Sequence, residues 1–334
     1  MRRRALLAAA LGAAGCGKKP EAGTRREVSV AMSEHLTVSS MHLAEELGYL
    51  RMAGFLFKPL TLTPQQAIPL LAGGKVDVFL GGVSPQILNA VARGMRIRAV
   101  AGREYVNPAC GEGYTLYANR RAFGGGPVEA RRLKGRRFSV RKRGITEFVL
   151  DTFLKSQGMK QDDVERMDLP LKESLAALAA NKVDALFDVE MSRSPLAVSP
   201  QILKVWRFSE VHPFHQFSFV VYGESMLKQG LGPGSRFLAA YLQAAGEFLD
   251  GRTPRFMREF AKRNGLDVDR TVHECRETFP RDGSIDIASL ERTLTWNAER
   301  GYTTRAVRPE EIVDDSYLKE SRSLLRTGLW RVAP

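Results

Sequence analysis

Arg141, Lys142, Arg143 and Gly144 stand directly before an apolar-periodic run that begins at Ile145. Cations beside the free N–H groups of a helix start can hold an anion such as nitrate, sulfonate, carboxylate or phosphate. Thr146 adds a hydroxyl to the same end, although the charges also continue a basic run (Arg131, Arg132, Lys134, Arg136, Arg137) that reads as a solvated face. Further polar residues follow strand-like runs: Ser33, Glu34, His35 and Thr37 after 28–31, Thr63 after 55–62, Gly81, Gly82 and Ser84 after 76–80, and Asp188 and Glu190 after 183–187. Glycine lets backbone approach a ligand, hydroxyls bind polar groups, and acids accept hydrogen bonds from an amine or a pyrimidine. The expected ligand-binding set is therefore Ser33, Glu34, His35, Thr37, Thr63, Gly82, Ser84, Arg141, Arg143, Gly144, Thr146, Asp188 and Glu190, and its mixture of acids and bases suits an anionic or zwitterionic solute. Thr63 and Ser84 also read as helix caps. His212, Phe214 and His215 are either an aromatic wall or core. No Ser/His/Asp, Cys/His, zinc-ligand or nucleotide-binding pattern stands out, so no catalytic residue, metal or cofactor is expected.

The elements that must position these groups include one plan written twice. Residues 66–80 read QAIPLLAGGKVDVFL and residues 173–187 read ESLAALAANKVDALF, so Leu71, Lys75, Val76 and Asp77 recur as Leu178, Lys182, Val183 and Asp184. In each copy an amphipathic helix stops at Gly73-Gly74 or Asn181, and a short apolar strand follows. Ser-Pro helix starts come next, at Ser84-Pro85 and Ser194-Pro195. Asp77 and Asp184 begin their strands, at the end opposite the loops that follow, and read as scaffold. Strand and helix signals alternate from residue 27, which predicts an α/β chain of two lobes, each a mostly parallel sheet flanked by helices. Thr63-Pro64-Gln65-Gln66 is a capping box. The reading places a first lobe at 27–118 plus 222–334, a second at 119–221, and a hinge at 117–120 and 221–223. Helices are expected at 38–49, 145–156, 234–250, 254–264 and 286–300.

Arg2, Arg3 and Arg4 precede an apolar run at 5–14 and the small residues before Cys16, the pattern of a secretory signal over 1–15. The run is shorter than the roughly 20 residues a membrane span needs. Cys16 after small residues resembles a bacterial lipobox, which implies acylation there and a tether at 16–26. An exported, lipid-anchored chain would meet the periplasm or cell surface. The net charge is +13 across 334 residues. No nucleic-acid-binding motif accompanies it, so a basic surface near anionic lipid is expected and no nucleic acid. Cys110 and Cys275 can pair in such a compartment, though sequence does not supply the geometry.

Four segments in order then carry a resemblance: residues 42–50 (HLAEELGYL), 71–77 (LAGGKVD), 133–140 (LKGRRFSV) and 178–184 (LAANKVD). Together they are similar to the substrate-binding proteins of ABC importers, in the nitrate/sulfonate/taurine group with its thiamine-pyrimidine-binding members. The resemblance implies the two-lobed type II periplasmic-binding fold and a monomeric receptor that passes a small solute to a permease and its ATPase. It also leaves open a pyrimidine ligand, or an enzyme of the related thiamine-pyrimidine synthase group.

Overall fold

The computed structural model describes residues 25–110, 113–124, 128–188, 196, 199–273, 275–276 and 278–332. The signal, residues 16–24 of the expected tether with Cys16, Glu190 and the second Ser-Pro start lie outside the described residues, and the tether's expected last residue, Arg26, opens the first strand. The strands are β1 (Arg26–Met32), β2 (Phe55–Thr61), β3 (Val78–Gly81), β4 (Arg98–Gly102), β5 (Thr115–Asn119), β6 (Arg137–Ser139), β7 (Glu165–Met167), β8 (Ala185–Asp188), β9 (Ile202–Arg207) and β10 (Phe219–Tyr222). They form two five-stranded sheets of the same pattern, β2-β1-β3-β10-β4 and β7-β6-β8-β5-β9. In each, four strands run one way and a single strand, β10 or β5, runs against its two neighbours.

That pattern corrects the expected lobe boundaries. β5, expected to close the first lobe, pairs with β8 and β9, and β10, placed in the second lobe, pairs with β3 and β4. Each lobe thus receives its reversed strand from the far side of a crossing. The two crossings are residues 103–114 and 208–218, so 117–120 and 221–223 lie within or beside strands and are not the hinge. The crossings pair with each other: the Arg103 N–H donates to the Ser218 carbonyl (2.8 Å), the Phe217 N–H to Glu104 (3.0 Å) and the Val106 N–H to His215 (2.9 Å).

Alternation along the strands builds the cores. Val28, Val30 and Met32 of β1 face the long helix Leu231–Leu249, while Ala31 joins Phe79, Ala99 and Val221 on the other face, beneath helices Pro64–Ala72 and Pro85–Ala92. In the second sheet Phe138 and Phe187 pack on helix Ile145–Ser156, with Leu178 and Leu186 opposite. That helix has its expected bounds. The helix expected at 38–49 ends at Glu46, because Gly48 turns left-handed (φ 72°) before a short helix Tyr49–Met52. Helix Ser316–Thr327, which the sequence reading did not identify, covers the first lobe and sets Tyr317 edge-on to Tyr222.

The repeated aspartates are scaffold. Asp77 accepts from the Ser29 N–H (2.9 Å) and hydroxyl (2.8 Å), and Asp184 from the Arg137 N–H and guanidinium (both 2.8 Å). Each carboxylate ties the turn before β3 or β8 to the neighbouring parallel strand, β1 in one lobe and β6 in the other. Burial pushes both pKa values up, but hydrogen bonds from Ser29 in one and Arg137 in the other outweigh it and hold them below the usual range.

Candidate functional site

Between the sheets lies a cavity of about 420 Å3. Ligands of open α/β sheets sit beyond the carboxyl ends of strands, and the walls follow that rule. After β1 come Ser33, His35 and Thr37, beside β2 comes Pro64, and at β3 come Gly81 and Gly82. The crossings form the back wall with Arg103, Tyr105, Val106, Asn107, Phe217 and Ser218. The end of the first crossing adds Gly113 and Tyr114, and from the second lobe the described lining is Ile145. Gly82 meets Ile145 at the front, where a Cβ on Gly82 would stand 3.1 Å from the Ile145 Cδ1. Cys110 and Cys275, both on the wall, are joined, which ties the first crossing to the segment after helix Val268–Val272.

Of the expected residues, then, Ser33, His35, Thr37 and Gly82 are gathered around one space. The others are engaged elsewhere. Glu34 faces outward to Arg263 (2.7 Å). Thr63 is exposed and its N–H donates to Gln66 (3.0 Å), as the capping box predicts. Ser84 begins helix Pro85–Ala92 with its hydroxyl buried and unpartnered among the described residues. Asp188 is buried at the end of β8, opposite Thr115, and does not line the cavity. Glu190 lies outside the described residues.

The basic loop is where placement differs most from expectation. Arg141 reaches Asp168 (3.4 Å), and its N–H donates to the Thr146 hydroxyl (2.8 Å). Arg143 takes a left-handed conformation (φ 57°), donates its N–H to Glu147 (2.6 Å) and lays its guanidinium 5.2 Å from the centre of the Tyr302 ring. The described lining from this stretch is Ile145, next to the capping Gly144. His212 and His215 join an aromatic cluster with Phe148, Phe208 and Phe217 behind the cavity. His215 is fully buried, and burial, with Arg292 and His212 nearby, lowers its pKa to about 3. Phe214 is 57% exposed.

The residue that the sequence reading missed is Arg103. It directly follows β4, so the rule applied to the other strand ends would have selected it. The residue is 1% exposed, and its guanidinium donates to the Thr37 carbonyl (2.5 Å), the Ser218 hydroxyl (2.9 Å) and the Tyr241 hydroxyl (3.1 Å). It thereby clamps the loop after β1, the second crossing and the long helix. All three acceptors are neutral, and among the described residues no carboxylate pairs with it. Two of its five N–H groups are left over. The other missed residues are aromatic: Phe79, Tyr105, Tyr114, Phe217, Phe248 and Phe279 supply rings to the wall.

The same architecture occurs in known proteins. The periplasmic sulfonate-binding protein SsuA of Methylobacillus flagellatus superposes with a TM-score of 0.69 at 15% identity, over 91% of this chain and 96% of that one. The periplasmic nitrate-binding protein NrtA of Synechocystis superposes at 0.67 and 10% identity, over 92% and 91%. The desulfurization enzyme DSZB also shares the fold, at 0.62 and 16% identity, over 89% and 99%. No curated protein sequence matches the chain. Residues 37–250, well over half of the chain, match the family described as NMT1/THI5 like. They span both crossings and most of the cavity wall, and the chain belongs to the NMT1/THI5-like family.

Proposed function

We propose that this protein is the exported solute receptor of an ABC importer. It takes an anionic solute of the sulfonate or nitrate kind into the cavity between its lobes and delivers it to a membrane permease and its ATPase. An acylated Cys16 would hold it at the membrane, and the solute needs no chemistry on the way. The observation that carries this reading is Arg103, a cation removed from water on the cavity wall whose three hydrogen-bond acceptors are all neutral, with Glu104 and Arg270 elsewhere on that wall. Burying a charge without a counter-charge is costly, and an anionic solute supplies one. Periplasmic sulfonate- and nitrate-binding proteins with the same two-lobed architecture support it.

The test is a thermal-shift screen of nitrate, sulfonates, taurine, pyrimidines and amino acids on the wild type and Arg103→Gln. Binding raises stability by RT ln(1 + [L]/Kd). Arg103→Gln keeps some donors but loses the charge, and should weaken an anion by about 10- to 100-fold, as for a charge-assisted hydrogen bond. A shift with neutral pyrimidines and none with anions would transfer the reading to a pyrimidine receptor. The enzyme reading rests on the shared fold of DSZB. On this cavity wall Cys110 and Cys275 are joined and offer no thiol nucleophile. Turnover of a sulfinate or sulfonate would establish it.

A further inference from the structure

The cavity wall is richer in rings than in charge, and this bears on the body of the solute as Arg103 bears on its head. Tyr114 and Phe217 meet edge to face with centroids 4.8 Å apart, Tyr105 stands on the adjoining crossing, and Ile145 closes the front. Phe279 also lines the cavity, its ring centre 6.0 Å from the Arg103 guanidinium carbon. The volume, about 420 Å3, falls in the range of sites that enclose ring-sized organic ligands. An anion of four heavy atoms would leave most of that space to water. Water in a cavity needs two to four polar partners; the wall has them around Arg103, Thr37 and Ser218, but Phe217, Phe248, Phe279 and Ile145 offer none, so an apolar body suits that part of the space.

We infer that the solute is an organic oxyanion with a flat, ring-bearing apolar body, its head on Arg103 and its ring against Tyr105, Tyr114 and Phe217. The inference rests on the anion-receptor reading and adds the body to it. A ring gains over an alkyl chain of equal area because edge-to-face and offset contacts with aromatic walls stabilise it beyond area burial. The Arg103 guanidinium can present its two remaining N–H groups to either a carboxylate or a sulfonate.

Calorimetric titration of the mature protein with nitrate, methanesulfonate, hexanesulfonate, benzenesulfonate, benzoate and the neutral benzenesulfonamide tests both parts separately. Benzenesulfonate or benzoate should bind at least ~10-fold more tightly than methanesulfonate and the sulfonamide, and more tightly than hexanesulfonate, as ring contacts on top of area burial require. Nitrate, methanesulfonate or hexanesulfonate equalling the aryl anions would overturn the ring-bearing body while leaving an anion receptor. The sulfonamide binding as well as the aryl anions, or no anion binding at all, would overturn the receptor reading itself. Tyr114→Leu keeps the site apolar and removes one ring. It should weaken the aryl anion about 3- to 10-fold, with methanesulfonate changed less than about twofold. Equal weakening of both would assign Tyr114 to structure and count against the inference.

Discussion

In the first lobe Asp77 is held mainly by a buried serine, with Arg26 at its edge. In the second the equivalent Asp184 is held by the backbone and side chain of one arginine whose own side chain is 36% exposed. The two lobes share strand order, the reversed guest strand and this tie at the base of each sheet. At the opposite ends they differ. The first lobe and the crossings supply nearly all of the described cavity wall, whereas the second supplies Ile145. Its cations at 141 and 143 are spent on Asp168 and Tyr302. A repeated scaffold therefore fixes where a site lies, and the loops beyond the repeat decide which lobe furnishes it.

The seam between the lobes is the place to break that comparison most severely. A Cβ on Gly102 would stand 2.0 Å from the Ser284 carbonyl and 2.2 Å from the amide of Gln216 in the second crossing. Gly102→Ala should cost about 3 kcal/mol or more in chemical denaturation, as overpacking against backbone does; a loss under about 1 kcal/mol would show that the seam yields. Next come the two aspartates. Asp77→Ala leaves the buried Ser29 N–H and hydroxyl without an acceptor and should cost about 2–3 kcal/mol. Asp184→Ala should cost about 1–2 kcal/mol, since solvent can reach Arg137. Equal or reversed losses would mean that the ties are not as unlike as their geometry.

A smaller effect separates a half-buried histidine from a fully buried one. Burial, then Arg263, lowers His42 of the first lobe to about 4, and burial, then Arg292, lowers His215 of the crossing to about 3. Both are held below the ordinary value of 6.5, so the unfolded chain binds the extra proton. Their contribution is complete above pH 6.5 and is lost as pH falls toward 4 and 3. The slope of Tm against pH between 6.5 and 4 should flatten in His215→Gln and, by less, in His42→Gln; an unchanged slope in both would refute the assignment. The smallest effect sharpens the contrast in site composition. Arg141→Ala and Arg143→Ala should each change solute affinity by less than about 0.5 kcal/mol, because exposed ion pairs contribute little. A tenfold loss in either would return the anion contact to the second lobe.

Much of the scaffold was legible in the sequence. The Lys-Val-Asp repeat, the Thr63 capping box and the helix at 145–156 are local signals, and local signals survive folding. Which sheet each guest strand joins was not legible, since β5 and β10 pair across long stretches of chain and their own residues read as strand in either lobe. The site was half legible. The loops after β1 and β3 fell out of strand ends, while the contacts of Arg141 and Arg143 with Asp168 and Tyr302 were not legible, because a charge at a helix start does not state what its long side chain will meet. Arg103 was hidden for the opposite reason: it is a lone cation whose burial depends on Thr37, Ser218 and Tyr241, distant in sequence.

Helix Ile287–Glu299 roots Leu290 and Leu294 in the first lobe, yet it seats Trp296 in the core of the second, with the indole N–H on Asp151 (2.9 Å) and Arg300 beside it (3.1 Å). The second lobe's own strands end with β9 at Arg207, so its core is completed by a side chain made nearly ninety residues later. Without that tryptophan the second lobe's core would hold an open socket over Phe148. The lobe whose strands are continuous in sequence is therefore not self-contained in packing, and its core is closed by a helix rooted in the other lobe.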